Sequence, residues 1–209
     1  MKSMNAKMVN LVLGVSALLS YAAPTLASEN RANRENKSAY AAWEVIGLTM
    51  VPVGGLRAGY FFTPELAGEM SYAASTAKIG DFESKKSIIE GKAKYFIGDS
   101  FYADGGLTYE TFDVKYSVYK FGTSVDRESL KANVSNVGIN THIGNQWQWP
   151  GFTLGCDWIG YFLSLSTKSK FSKADNLDES NEKKQQDSIK TAMGGSSLHL
   201  MRFYLGWSF

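Results

Sequence analysis

The chain has 209 residues, one cysteine and a formal net charge of +2, with 44% apolar and 13% aromatic residues. So near-even a charge balance excludes the basic footprint of a nucleic-acid binder, and a lone cysteine excludes an intramolecular disulfide framework. Past residue 27 no apolar run approaches the roughly 18 residues of a membrane-spanning helix.

Residues 1–27 read as a secretory signal peptide. Lys2 and Lys7 form a basic start, Met8 to Leu19 is mostly apolar, and Thr25-Leu26-Ala27 offers small residues for cleavage before Ser28. The segment carries two lysines and no acid, so its loss takes the net charge from +2 to zero. Cleavage leaves 28–209 as the mature chain, with 28–39 as a periplasmic lead-in. No cysteine stands at the cleavage site, which excludes a lipoprotein anchor.

The mature chain breaks into alternating segments of about ten residues, the signature of a transmembrane barrel. Strand 1 is expected at Tyr40–Leu48, strand 2 at Leu56–Phe62, strand 3 at Leu66–Ser75 and strand 4 at Ile88–Ile97. Strand 5 starts at Phe101, strand 6 ends at Trp149, strand 7 is Phe152–Leu165 and strand 8 is Leu198–Phe209. Thr63-Pro64-Glu65, Gly98-Asp99-Ser100 and Pro150-Gly151 supply tight turns after strands 2, 4 and 6. The connections after strands 3, 5 and 7 are longer and polar. The expected fold is all-β: a closed, antiparallel, eight-stranded up-and-down barrel with short periplasmic turns and long extracellular loops.

The faces decide between a soluble and a membrane barrel. In a strand, successive side chains point to opposite faces. In strand 8, Met201, Phe203, Leu205, Trp207 and Phe209 share one face, and Arg202, Tyr204, Gly206 and Ser208 the other. In strand 6, Val137, Ile139, Ile143, Trp147 and Trp149 oppose Asn140, His142, Gln146 and Gln148. The same parity sends Glu44, Arg57, Glu69, Glu90, Lys92, Lys94, Asp104, Glu110, His142, Asp157 and Arg202 to one interior. An apolar lumen could not hold that set, whereas the polar lumen of a membrane barrel can. Tyr60, Phe62, Tyr95, Phe101, Trp147, Trp149 and Phe152 cluster at the short-turn end, where a periplasmic aromatic girdle belongs.

Two stretches carry a family resemblance. The run from Gly55 to Ala67 resembles the first periplasmic hairpin of the small outer-membrane proteins of the OmpA-barrel, OmpX and OmpW type. The alternation ending at Phe209 resembles the C-terminal assembly signal of Gram-negative outer-membrane barrels. The resemblance implies an outer-membrane location, lipid and lipopolysaccharide as surroundings, and delivery to the barrel-assembly machinery through the C-terminal strand. Separately, no phosphate-binding loop, metal-spaced His/Cys cluster or GxSxG elbow appears, so no cofactor and no metal are expected. No peptidoglycan-binding domain follows the barrel, so wall anchoring is not implied.

Three places could carry function. Six acids and four firm bases in the lumen point to a salt-bridged plug, with Asp157 and Arg202 the first pair expected; a narrow pore is the alternative. The polar stretch Thr167–Gly195 reads as an extracellular loop. Between strands 5 and 6 the apolar parity switches in both strands at one height when they pair about Ser124, which suggests a bulge in each. That hairpin would project beyond the membrane, with Tyr116, Tyr119 and Phe121 offered to a partner. Last, Ser164, Ser197 and His199 are expected outward at the rim, where a lipid A-modifying enzyme would keep its serine and histidine. Their order, Ser-x-His, inverts that family's pattern, and no outward acid stands near to orient the imidazole. Cys156 is expected on the lipid face as a small filler. The expected protein is monomeric and non-enzymatic, structural or surface-interacting.

Overall fold

The computed structural model describes residues 30–46, 54–79, 82–119, 127–172, 187 and 193–209. The signal segment 1–27, the cleavage site at Ser28, Leu48 and Phe121 lie outside the described residues. A two-turn helix, α1 (30–36), precedes eight strands. They are β1 (Ala39–Ile46), β2 (Gly54–Phe61), β3 (Leu66–Ile79), β4 (Phe82–Phe96), β5 (Phe101–Tyr119), β6 (Arg127–Trp149), β7 (Phe152–Ser172) and β8 (Ser197–Ser208). Each pairs antiparallel with the next, and β8 returns to β1, so the ring is closed. The eight-stranded up-and-down barrel read from the sequence is the observed fold.

Where the ring is complete, closure leaves no strand edge, so ladder groups there are satisfied without water. Phe209 and Ala39 exchange both backbone hydrogen bonds at 3.0 Å, sealing the seam at the short-turn end. The exterior is apolar: Trp43, Met70, Leu107, Tyr109, Leu163 and Leu205 are all exposed. At the height of these residues charges turn inward, and the alternation of Val, Ile and aromatics with Glu, Lys and Arg produces both surfaces from one period.

Strands β3, β4 and β7 run past the bounds expected from the sequence, and β5 and β6 form the long hairpin it suggested. A transmembrane strand needs about 9–11 residues, whereas β5, β6 and β7 have 19, 23 and 21. The surplus forms a wall beyond the membrane. Part of the expected loop Thr167–Gly195 is therefore strand, up to Ser172.

The bulges are not where the sequence suggested. The β5–β6 register is unbroken from Phe101↔Asn145 to Tyr119↔Arg127, so neither strand is bulged between them. The parity switch has another cause. Val114, Ala132 and Val134 face inward above the charged lumen, giving the projecting wall an apolar lining. Register shifts occur instead between β6 and β7, at Val137/Gly138 and Ile143/Gly144. The extra residues are Leu165 and Trp158, both on β7. Opposite Trp158, Met201 on β8 takes a positive φ of 51°, a left-handed conformation uncommon for a long side chain.

Candidate functional site: a charged and aromatic lumen

All eleven lumenal residues expected from the sequence are buried, none more than 6% exposed. Ten of them, all but Glu110, form one connected network. Near the short-turn end, the Lys94 ammonium lies 2.6 Å from Glu69 and donates to Gln146 Oε1 at 3.1 Å and to the Tyr40 and Tyr204 hydroxyls at 3.2 Å. It also sits 4.2 Å from the centre of the Tyr102 ring. Phe61 and Phe96 complete this layer with the three tyrosines. Tyr40 donates to Glu69 and Tyr102 to Asp157.

Above it, Arg57 grips Asp157 with two parallel bonds, Nη2 to Oδ2 at 2.8 Å and Nη1 to Oδ1 at 3.3 Å. The same guanidinium lies 3.2 Å from Glu44 and 3.3 Å from Glu69, and stacks over Tyr204 at 4.1 Å. Lys92 lies 2.9 Å from Glu69 and 3.3 Å from Asp104.

Higher again, Arg202 contacts Glu44 at 2.5 Å and Glu90 at 2.7 Å. Its Nη1 donates to His142 Nε2 at 3.2 Å. Nε2 must then accept, so Nδ1 carries the proton and donates it to Asp104 at 2.8 Å. The sequence put Asp157 with Arg202 first. They are register partners, but their closest approach is 3.8 Å and each has shorter partners elsewhere. Strand adjacency identified neighbours, while side-chain reach across the lumen chose the pairs. Lys86, not expected in the lumen, pairs with Glu110 at 3.2 Å at the upper end.

The short-turn mouth is closed by α1. Arg34 donates to Pro64 O at 2.6 Å and Asp99 O at 2.5 Å, and its guanidinium covers the Phe96 ring at 4.0 Å. Asn30 and Asn33 clamp the backbone N–H and C=O of Gln148 at 2.7 and 2.8 Å. Arg31 adds a 2.6 Å pair with Glu65. The helix thus binds the turns after β2 and β4 and the end of β6. The sequence treated 28–39 as a lead-in; seven helical residues are too few for a periodic signal. Tyr204 was read on the face of Arg202; Tyr40 and Tyr102 share the parity of the charges on their strands and could have been assigned with them.

Expected exterior residues divide. Tyr60, Phe62, Tyr95, Phe101, Phe152, Trp207 and Phe209 are exposed around the short-turn end, and Trp149 packs on Phe152 at 5.5 Å. Trp147, expected in this girdle, is only 8% exposed. Phe203 and Leu205 face outward, and Met201 is half-buried at the β8 irregularity. Cys156 is 1% exposed although its parity is outward. The Trp158 indole explains this. It donates to Asn145 at 2.8 Å and packs edge-on to Phe203, the two register partners of Cys156, so it spans the thiol.

Ser164, Ser197 and His199 are not a rim triad on the lipid face. The Trp158 bulge and the Met201 irregularity reverse the parity of β7 and β8 above that height. Leu198 and Leu200 turn outward, and His199 turns in to stack on His142 at 6.2 Å. Ser197 does lie 3.2 Å from His199 Nε2. Ser164 follows the same reversal and meets Thr167 at 3.3 Å. The side chains of Tyr116 and Tyr119 lie outside the described set. Among the described residues, no group of three His, Cys, Asp or Glu could hold a metal.

A closed ring with an apolar, aromatic-edged exterior and a salt-bridged interior inverts the soluble barrel, and it defines this chain as an outer-membrane β-barrel of the small eight-stranded kind. The solved structures similar to it have that fold. A major outer membrane protein from Thermus thermophilus matches with a TM-score of 0.51 at 9% identity, over 82% of this chain and 99% of that one. Acinetobacter baumannii CarO matches at 0.49 and 11%, over 82% and 97%. Ail, the attachment invasion locus protein of Yersinia pestis, matches at 0.46 and 15%, over 82% and 95%. No family model and no curated protein matches the sequence.

Proposed function

We propose that the protein is a monomeric, non-catalytic component of a Gram-negative outer membrane whose lumen passes no solute and whose work is done at its outer surface, in envelope integrity or surface interaction. The observation that carries this reading is the double closure of the lumen. Lys94 is held among Glu69, Gln146, Tyr40 and Tyr204, which span the interior. Below it, Arg34 ties α1 to two turns. A conducting lumen would need a continuous water path through both layers. Cations and anions alternate in the network, unlike the single-sign rings of selective pores. The inward turn of Ser197 and His199 removes the arrangement a lipid A-modifying site would need at the rim. Delivery through the assembly machinery would rest on the apolar face of β8. The test is single-channel conductance of the refolded mature chain in a planar bilayer. Silence is the expected result; reproducible steps would replace this reading with a narrow pore. Lipid A from cells carrying the protein should keep its mass whether or not His199 is changed to Ala.

A further inference from the structure

Strands β3 to β7 change character in step as they leave the membrane. On β4 the outward face runs Ile89, Ser87, Lys85; on β5, Tyr109, Thr111, Asp113, Lys115; on β6, Val137, Ser135, Asn133, Lys131. Register partnering aligns these residues laterally: Lys85, Asp113, Asn133 and Lys170 form one row, and Glu83, Lys115, Lys131 and Ser172 the next. Lys78 and Lys168 flank the two rows on β3 and β7.

The six lysines are all exposed. Among the described residues only two acids share the face, and both are engaged: Glu83 with Lys85 at 3.6 Å, and Asp113 as acceptor from Asn133 at 2.6 Å. A groove of about 410 Å³ runs between the rows, within the range of small-ligand sites. Among the described residues, β1, β2 and β8 carry no outward lysine or arginine, so the charge is confined to one side.

Position selects the occupant. The lysines stand two or three outward positions beyond the last apolar residue. At about 6.6 Å per two residues and a tilt near 45°, that puts their backbone roughly 9–14 Å above the hydrocarbon edge. From there the long lysine stems reach down to the headgroup zone, about 5–8 Å beyond the hydrocarbon, where lipid phosphates lie. A soluble polyanion would meet the loop tips first, whereas these side chains point sideways into the leaflet. We propose that the outer face of the β3–β7 wall is a binding platform for the phosphorylated headgroup of an outer-leaflet glycolipid. The proposal rests on the membrane placement of the proposed function, though not on the closed lumen.

The test uses the full mature chain refolded in neutral detergent, titrated with lipid A carrying both phosphates and with the same lipid dephosphorylated, and read by native mass spectrometry. The phosphorylated form should bind more tightly, and Lys85→Gln, Lys115→Gln, Lys131→Gln and Lys170→Gln together should remove that preference. Each lysine should account for roughly a fivefold loss, and added salt should weaken binding. Lys37→Gln, away from the wall, should change nothing. Equal binding of both lipids, or an unaffected quadruple variant, would overturn the platform. So would displacement of the lipid by heparin at equal phosphate and sulfate concentration, which would make the occupant a soluble polyanion. If the quadruple variant does not fold, Lys131→Gln and Lys170→Gln alone must each show the partial loss. Retention of the heat-dependent gel shift without lipid preference sinks the platform alone; loss of the shift in the unsubstituted chain would sink the membrane reading itself.

Discussion

Arg57 and Asp157 meet across the lumen from strands that are not neighbours, β2 and β7, through two parallel bonds of 2.8 and 3.3 Å. The pair ties opposite walls of the ring together, which ladder hydrogen bonds cannot do. Removing either member leaves a buried charge short of its counterpart, at a cost of about 3–5 kcal/mol. Arg57→Met and Asp157→Leu should each lower the unfolding free energy by that measure. The double variant should be less damaged than the sum of the two, with a coupling of about 1–3 kcal/mol. Additive losses in urea unfolding would show that the walls are not linked through this pair.

Gly155 makes room for Tyr204. A Cβ at that position would lie 2.0 Å from the tyrosine ring, while Gly59 makes the same allowance for Tyr40 at 2.2 Å. Gly155→Ala should push Tyr204 off Lys94 and destabilise the barrel by about 1–3 kcal/mol. Adding Tyr204→Leu should recover part of that loss, because the clash goes with the ring. A Gly155→Ala barrel as stable as the parent in denaturant would refute the close contact.

Trp158 screens Cys156. In the parent, a membrane-permeant maleimide should leave the thiol unlabelled. Trp158→Ala should expose it, and labelling should rise at least roughly tenfold, about the change that removing a 1.4 kcal/mol barrier to access would give, while the heat-dependent gel shift persists. Unchanged protection would mean that something other than the indole covers the sulfur.

Arg34 should hold α1 in place independently of pH across the range cells meet. Burial pushes its guanidinium down to about 10, against the pull of Asp99 and Glu65, so it stays charged from about pH 5 to 9. A base whose folded pKa lies below its unfolded value adds no pH dependence beneath the folded value. The stability linked to it changes only above about pH 10, where the folded chain gives up its proton before the unfolded chain does. Amide exchange of residues 30–36, corrected for intrinsic rate, should therefore be flat between about pH 5 and 9. Arg34→Ala should speed it at every pH. A release confined to acid would make the helix a pH gate.

The lumen was legible in the sequence wherever the ladder is regular. From β1 to β4 no bulge intervenes, so parity alone sends Glu44, Arg57, Glu69 and Glu90 to one side. It failed above Trp158 and Met201, since one extra residue in a strand reverses every side chain beyond it. His199 and Ser164 were misplaced for that reason. The β5–β6 switch misled differently. Val114 and Val134 are apolar and inward, and past the membrane an apolar residue no longer marks the lipid side. Partners across the lumen were out of reach as well, because they depend on which long side chains span the interior rather than on strand order.

The anchoring of α1 bears on the order of assembly. Asn30 reaches Gln148, 118 positions along the chain, and Arg34 needs the turns after β2 and β4 already shaped. Its contacts with the barrel described above are all distant in sequence, so the helix is expected to settle only once β6 stands in the ring. The first described residues of the chain are thus among the last to find their places. Protection of residues 30–36 becomes a timestamp for the finished barrel: a half-built intermediate would leave this segment open to protease in the periplasm.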